Sequence, residues 1–293
     1  MGRTIGVNEI PASARAPPRG GGVVTARKRI RGRAASAGLH LKLLAAAVTA
    51  VFPVVWIVLT SIKPRGTWQT TTVELFNTPT PANYAEVLSS EVFGLWFLNS
   101  VLVSAVTTAI AVFIAATTGY AVSRFRFPGM RPLMWSLLII QMFPVAVLIV
   151  PIYNLGGLVI TYLTFAVPFC AWMLKGYFDT IPIGIDEAGR VDGLSPFGTF
   201  WRLVVPLARP GIAVAAFYAF ITAWGEVAFA TAFMTGDEHY TLAVGLQQYV
   251  GQHKAEWGLL TAASVIISVP ATAVFLLVQR NLVTGLTAGG TKQ

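Results

Sequence analysis

Charge is what this sequence most lacks. Only 11% of its 293 residues are Asp, Glu, Lys or Arg, against 55% apolar residues, where a soluble domain carries about 25% charged residues. Too few charges remain to clothe a globular surface in water, and extended disorder is excluded by the same figures. The single cysteine, Cys170, excludes intramolecular disulfides and any all-cysteine metal site. Three histidines, His40, His239 and His253, offer little for metal or acid–base chemistry. No Gly-x-x-x-x-Gly-Lys-Ser/Thr phosphate loop occurs, so ATP cannot be held in that way. The fold class expected is all-α, a polytopic membrane protein.

What is present is long apolar runs. A helix needs about 20 mostly apolar residues to cross the hydrocarbon, and stretches of that kind fall at about 43–62, 97–123, 132–152, 155–174, 211–234 and 259–279. Pro144, Pro151, Asn154, Gly156 and Gly157 divide the uncharged run from Pro132 to Leu174 into two helices joined by a very short turn. Six spans are therefore predicted. The net charge of +9 then finds its explanation in topology. Segments 1–42, 124–131, 175–210 and the C-terminal end hold 18 Lys and Arg residues; the opposite side keeps Lys63, Arg65 and Lys254. The positive-inside rule places both termini in the cytoplasm, with no need of nucleic acid.

Residues 1–38, rich in Arg, Gly, Pro, Ala and Ser, read as a basic disordered cytoplasmic tail. Its cluster Arg27-Lys28-Arg29-Ile30-Arg31-Gly32-Arg33 suits contact with anionic membrane lipid. Residues 39–293 form the transmembrane domain. The inner segment 175–210 carries helix punctuation of its own. Pro182 can open a helix, and Ile185, Ala188, Val191 and Leu194 recur every third residue on one side. Asp186 and Arg190 stand four apart in the favourable acid-first order, and Gly193 breaks the pattern. Ser195-Pro196 supplies an N-cap followed by proline at N1. Phe197, Phe200, Trp201 and Val204 then form one apolar stripe, which Pro206 and Pro210 stop. The expectation is two short helices bent at Gly193, lying against the cytoplasmic membrane face; the bland alternative is an interfacial helix pair that only anchors a loop.

The stretch Glu187-Ala188-Gly189-Arg190-Val191-Asp192-Gly193, nine residues, then Leu203-Val204-Val205-Pro206 resembles the EAA loop of bacterial ABC importer permeases. Gly189 stands where that pattern has its second Ala, a change that loosens an isolated helix by about 1 kcal/mol. Ala171–Pro182, Ala223–Phe229 and Gly285–Gly290 are similar to the maltose/trehalose-type carbohydrate family of those permeases. The resemblance covers roughly residues 40–290, and near Tyr153 to Gly157 the chain lacks about a dozen residues of an outer turn usual in that family. It implies the importer type I permease fold, a second permease subunit, two ATPase subunits that bind ATP and Mg, and an extracellular or periplasmic sugar-binding protein. It also implies that Glu187, Ala188, Gly189, Arg190, Asp192, Gly193, Phe197, Trp201 and Pro206 couple the chain to an ATPase. No catalytic residue, metal or cofactor is expected in this chain.

A sugar path needs aromatic faces and amide or hydroxyl groups. Gln141, Tyr153, Asn154, Tyr162, Tyr218, Thr222 and Trp224 suit one, although the same residues serve ordinary helix contacts in membranes. Glu226 is the only acid well inside a predicted span, and reads either as a substrate or proton site or as a satisfied structural carboxylate. His239 and His253, with Asp237, Glu238 and Glu256, make a poor metal constellation. The function expected is inward transport of a neutral di- or oligosaccharide. A permease for polyamines or another solute is the alternative, with a secondary transporter or membrane enzyme behind it.

Overall fold

A computed structural model describes residues 22–64, 79–126, 128–142, 154–251 and 255–290. Two compact units divide the chain, Met1–Val55 and Trp56–Gln293. In the first, helix α1 (Gly22–Ser61) begins, so residues 22–38, assigned by composition to the tail, are helical as far as they are described. Its described side chains from Gly38 onward within this unit are exposed.

The second unit is organised on α3 (Glu91–Arg124), which packs most extensively against α5 (Leu155–Phe178) and then α9 (Arg209–Trp224). The reason lies in small side chains at a helical repeat. Thr107, Ala111, Ala115 and Gly119 stand four apart on α3 and are buried, as are Gly211, Ala215, Ala219 and Ala223 on α9. Apolar lipid tails offer little contrast to apolar side chains, so helices in membranes associate by close backbone approach at such stripes. At Gly119 a Cβ would lie 3.0 Å from the Lys175 backbone N and 3.1 Å from the Ala171 carbonyl; at Gly211 it would strike the Tyr177 ring. Cys170 is buried at this junction, its Sγ 3.5 Å from the Ala215 carbonyl, as expected of a small core residue.

Short helices fill the ends. α2 (Ala82–Ser89) precedes α3, and α4 (Met130–Met142) follows it. Between α5 and α9 lie α6 (Gly184–Val191), α7 (Pro196–Thr199), a π-helical turn over Phe200–Val204, and α8 (Val205–Leu207). After α9 come α10 (Ala228–Phe233), α11 (Leu242–Gly245) and α12 (Trp257–Gly290).

Among the described residues, Gly38–Ser61, Glu91–Arg124, Leu155–Phe178 and Trp257–Asn281 are long and apolar enough to cross a membrane. A fifth is reached by counting α9 with the segment Pro196–Leu207, to which it is bent by 83°. Two expectations are modified. The run expected at 132–152 is helical from Met130 to Met142, and its remainder lies outside the described residues. The run at 211–234 is broken after Trp224 rather than continuous.

At the end of the bundle away from residues 175–210, α3 presents a row of polar side chains. Trp96 Nε1 donates to the Asp237 carbonyl, and Asn99 Nδ2 donates to the carbonyls of Glu238 (3.0 Å) and Tyr240 (3.1 Å). The Leu242 N–H donates to Ser100 Oγ at 2.8 Å. These bonds fix the segment between α10 and α11, which turns at Gly236 with φ +101°. Asn83, buried, donates to the Ser61 carbonyl, one of the groups a helix C-terminus leaves unpaired, and to the Lys63 carbonyl just beyond the helix. Gly245 lies flat on the Trp96 indole, where any Cβ would overlap ring carbons. Gly245→Ala is expected to destabilise the protein by about 1–3 kcal/mol, lowering the thermal midpoint followed by tryptophan fluorescence in nanodiscs. An unchanged midpoint would contradict the packing described.

Candidate functional site

The segment between α5 and α9 is fastened to the last turn of α3 by three side chains. Ser123 Oγ donates to Asp179 Oδ1 at 2.6 Å, and Lys175 Nζ contacts Asp179 Oδ2 at 2.6 Å. Burial raises the Asp179 pKa, but the bonds from Lys175 and Ser123 and the charges of Lys175 and Arg124 outweigh it and hold it below its ordinary value. This tie is therefore in place at neutral pH and is lost as the pH falls through that depressed pKa. Arg124 donates from Nη2 to the Ile181 carbonyl at 2.9 Å. Its Nε lies 2.9 Å from Asp186 Oδ2, with both side chains less than 10% exposed. That approach is not aligned as a hydrogen bond, so the attraction is coulombic. Tyr120 Oη donates to the other Asp186 oxygen. Removing one partner of such a buried pair costs about 3–5 kcal/mol.

Sequence reasoning missed this anchor. Asp186 belongs to Arg124 and Tyr120 instead of forming the expected pair with Arg190. The apolar repeat Ile185, Ala188, Val191 and Leu194 is likewise not the buried side of α6. Asp186 and Gly189 are buried; Ala188 is exposed, and Val191 is 88% exposed. Glu187 and Arg190 are exposed as well. Helix α6 thus turns an acid and a bare valine away from the bundle.

The two punctuation signals behave as the sequence suggested. Gly193 adopts φ +79°, and the N–H groups of Gly193 and Leu194 bond the carbonyls of Arg190 and Gly189, a complete Schellman closure of α6 after its C-cap Asp192. Ser195 Oγ accepts from the Gly198 N–H at 3.1 Å, with Pro196 at the first turn of α7. The bend near Ala208 then sends α9 off, with Pro206 inside α8 and Pro210 in the first turn of α9. Phe200 and Val204 are buried, and Phe200 packs between Tyr120 (4.8 Å between centroids) and Phe178 (6.2 Å). Phe197 remains 61% exposed, and Trp201, 42% exposed, stacks on Phe113 of α3.

Gly189 is not a weakness in α6. A Cβ there would lie 2.7 Å from Thr199 Oγ1 and 3.0 Å from Leu203 Cδ1, so glycine lets α6 rest on the turn after α7. Thr199 Oγ1 is buried without a hydrogen-bond partner. Gly189→Ala is expected to destabilise by about 1–3 kcal/mol, and Thr199→Ala, which removes both clashing atoms of that side chain, is expected to restore most of the loss. Equal melting temperatures for the double variant and Gly189→Ala alone would contradict the contact.

The residues expected along a sugar path are dispersed. Tyr162 is fully buried, and Trp224, nearly so, donates from Nε1 to the Ile267 carbonyl at 3.1 Å. Tyr218 stacks on Phe169 at 4.0 Å, and Thr222 bonds back to the Tyr218 carbonyl. Asn154 caps α5 through the Gly157 N–H. Tyr153 lies outside the described residues, and Gln141 is described only as part of α4. Most of these are helix contacts and caps.

Glu226 sits at the break between α9 and α10. Its carboxylate accepts from the N–H groups of Phe229 (2.9 Å) and Ala230 (3.1 Å) and from Tyr162 Oη (2.7 Å). These are the orphan donors of the α10 N-terminus, so the acid starts a new helix where the apolar pattern suggested one span. The structural reading of Glu226 accounts for all three contacts. Glu226→Leu, which strands those donors, is expected to abolish folded protein, while Glu226→Gln retains it; folded Glu226→Leu at wild-type yield would contradict the capping role. His239 is exposed beside Glu238, His253 lies outside the described residues, and no group of three metal-ligating side chains assembles among the described residues.

The family described as binding-protein-dependent transport system inner membrane component matches residues 111–287. The chain belongs to this family. It is thus a multi-pass membrane protein, the non-enzymatic permease subunit of a transporter. It is 33% identical to the sulfoquinovosyl glycerol transport system permease protein SmoH of Agrobacterium fabrum, covering 87% of this chain and 94% of that protein. It is 33% identical to the trehalose transport system permease protein SugB of Mycobacterium tuberculosis, covering 83% and 93%. Against the maltose/maltodextrin permease protein MalG of Salmonella typhimurium it is 39% identical over 68% of this chain and 72% of that one. Among solved structures, a bacterial ABC transporter that imports the acidic polysaccharide alginate shares the fold, with TM-score 0.70, 22% identity and coverage of 87% and 97%. The all-α importer permease fold expected from the sequence is the one observed.

Proposed function

We propose that this permease carries a neutral di- or oligosaccharide inward as one of two permease subunits in an ATP-driven importer. Two ATPase subunits bind ATP and Mg and supply the energy, and an external sugar-binding protein delivers the substrate. The observation that carries this reading is the outward face of α6 and α7. Glu187, Val191 and Phe197 are exposed there on elements whose opposite side is fastened to α3. An exposed apolar and acidic surface held so firmly suits a docking lever, since closure of an ATPase pair must move the spans. In this arrangement residues 175–210 face the cytoplasm, both termini lie on that side, and the spans number six.

The carbohydrate assignment rests on relatives, whose names specify sulfoquinovosyl glycerol, trehalose and maltose or maltodextrin. Glu226, already occupied by three donors, is compatible with a path that carries no proton. The test is the complex reconstituted with its own ATPase and binding protein. Glu187→Lys is expected to lose ATPase co-purification and at least tenfold of uptake while remaining inserted. In the wild type, α-linked disaccharides are expected to stimulate ATP hydrolysis and a cationic polyamine is not. Stimulation by the polyamine alone would overturn the sugar assignment, and full ATPase retention by Glu187→Lys the docking assignment.

A further inference from the structure

We propose that Arg124 and Asp186 are positioning residues for energy coupling: their buried ion pair makes the last turn of α3 and helix α6 move as one body. The inference rests on the docking assignment above and adds the route by which motion of α6 reaches the spans. Coupling across a protein can be carried by chains of packed and charged contacts, and on α6 itself the polar contacts from α3 converge on Asp186. Asp186 is 5% exposed on the inward face of α6 and receives both Arg124 and Tyr120 from α3. Arg124 simultaneously holds the Ile181 carbonyl in the approach to α6, so one guanidinium grips both the helix and the segment leading into it.

The surrounding geometry gives the joint stiffness. The Tyr120 ring that bonds Asp186 also packs on Phe178 of α5 (5.9 Å) and Phe200 after α7 (4.8 Å). Arg190, whose guanidinium is the nearest rival cation in sequence, lines the small cleft beside this pair together with Phe125, Ile183 and Pro196. A helix held only by apolar contacts can slide on its seat. One held by a buried charge cannot leave without stranding that charge in a poorly solvating site. The load applied to the outer face of α6 is thereby delivered to α3, the helix on which α5 and α9 are packed.

The experiment compares Asp186→Asn, Arg124→Gln and the exchange Asp186→Arg/Arg124→Asp in the full reconstituted complex, reading sugar transported per ATP hydrolysed. Each single variant is expected to keep the ATPase bound and hydrolysing while this ratio falls at least fivefold; the exchange is expected to recover at least threefold over either single variant. Spin labels at Val191 and Phe113 give a second readout, a distance distribution that is narrow in the wild type and broad in Asp186→Asn. A wild-type ratio in both single variants overturns the proposal. So does a loss confined to assembly, with normal transport per ATP and a narrow distribution in the complex that remains. Failure of the docking assignment itself is recognised separately, because Glu187→Lys would then retain both ATPase and uptake.

Discussion

The buried contact between Arg124 and Asp186 is the constraint on which the arrangement of the site depends. A long apolar helix ends in a cation, and that cation is taken out of water by the helix that follows α5 in the chain. Because burial of an unpaired charge is so costly, the orientation of α6 about its own axis follows from this pair. With Asp186 inward, Gly189 must also face inward, and Glu187, Ala188, Arg190 and Val191 are turned out. Ser123 and Tyr120 add neutral donors to two carboxylates on the same α3 turn, so three successive contacts hold the loop segment to one helix end.

The bundle beneath it is built differently. Stripes of Gly, Ala and Thr four residues apart let α3, α5 and α9 approach at backbone distance, and there polar atoms are few. Rigidity in that layer comes from contact of atoms without room to shift. At the opposite end, side-chain amides and an indole again tie loop carbonyls to α3. Within the second unit the same helix therefore holds the loop segments at both of its own ends.

Much of this was legible where the cause is local. Gly193 before Leu194, Ser195 before Pro196, and Asn154 before Gly157 each state a cap or a bend within a few residues, and each is found. Four of the six expected spans followed from length and apolarity, and the permease fold was implied by the family resemblance that the stretch from Glu187 to Pro206 carries. What the sequence hid is long-range or competes with a local pattern. Asp186 looked like a partner for Arg190 because they are one turn apart, whereas its hydrogen-bond donor Tyr120 lies 66 residues away. The threefold apolar repeat of α6 placed Val191 on one side with Ile185 and Ala188, but a valine turned out of the bundle and one turned into its core are identical on paper. Glycine at 189 read as a loosened helix because the side chain that needs the space, Thr199, reaches it from another helix. In the apolar run from 211 to 234 the break is marked by Gly225, the C-cap of α9, and by Glu226, whose role became plain only with the first N–H groups of α10 beside it.

An ATPase seated on the outward face of α6 is the central element of the proposed coupling. The direct measurement is thiol cross-linking in the intact complex from Val191→Cys, with Cys170 left in place because it is buried. A short bifunctional reagent is predicted to join the permease to the ATPase subunit in high yield, and Glu187→Lys to suppress that product. Labelling of Val191→Cys from outside sealed cells, or a transporting complex in which no such product forms, would contradict it.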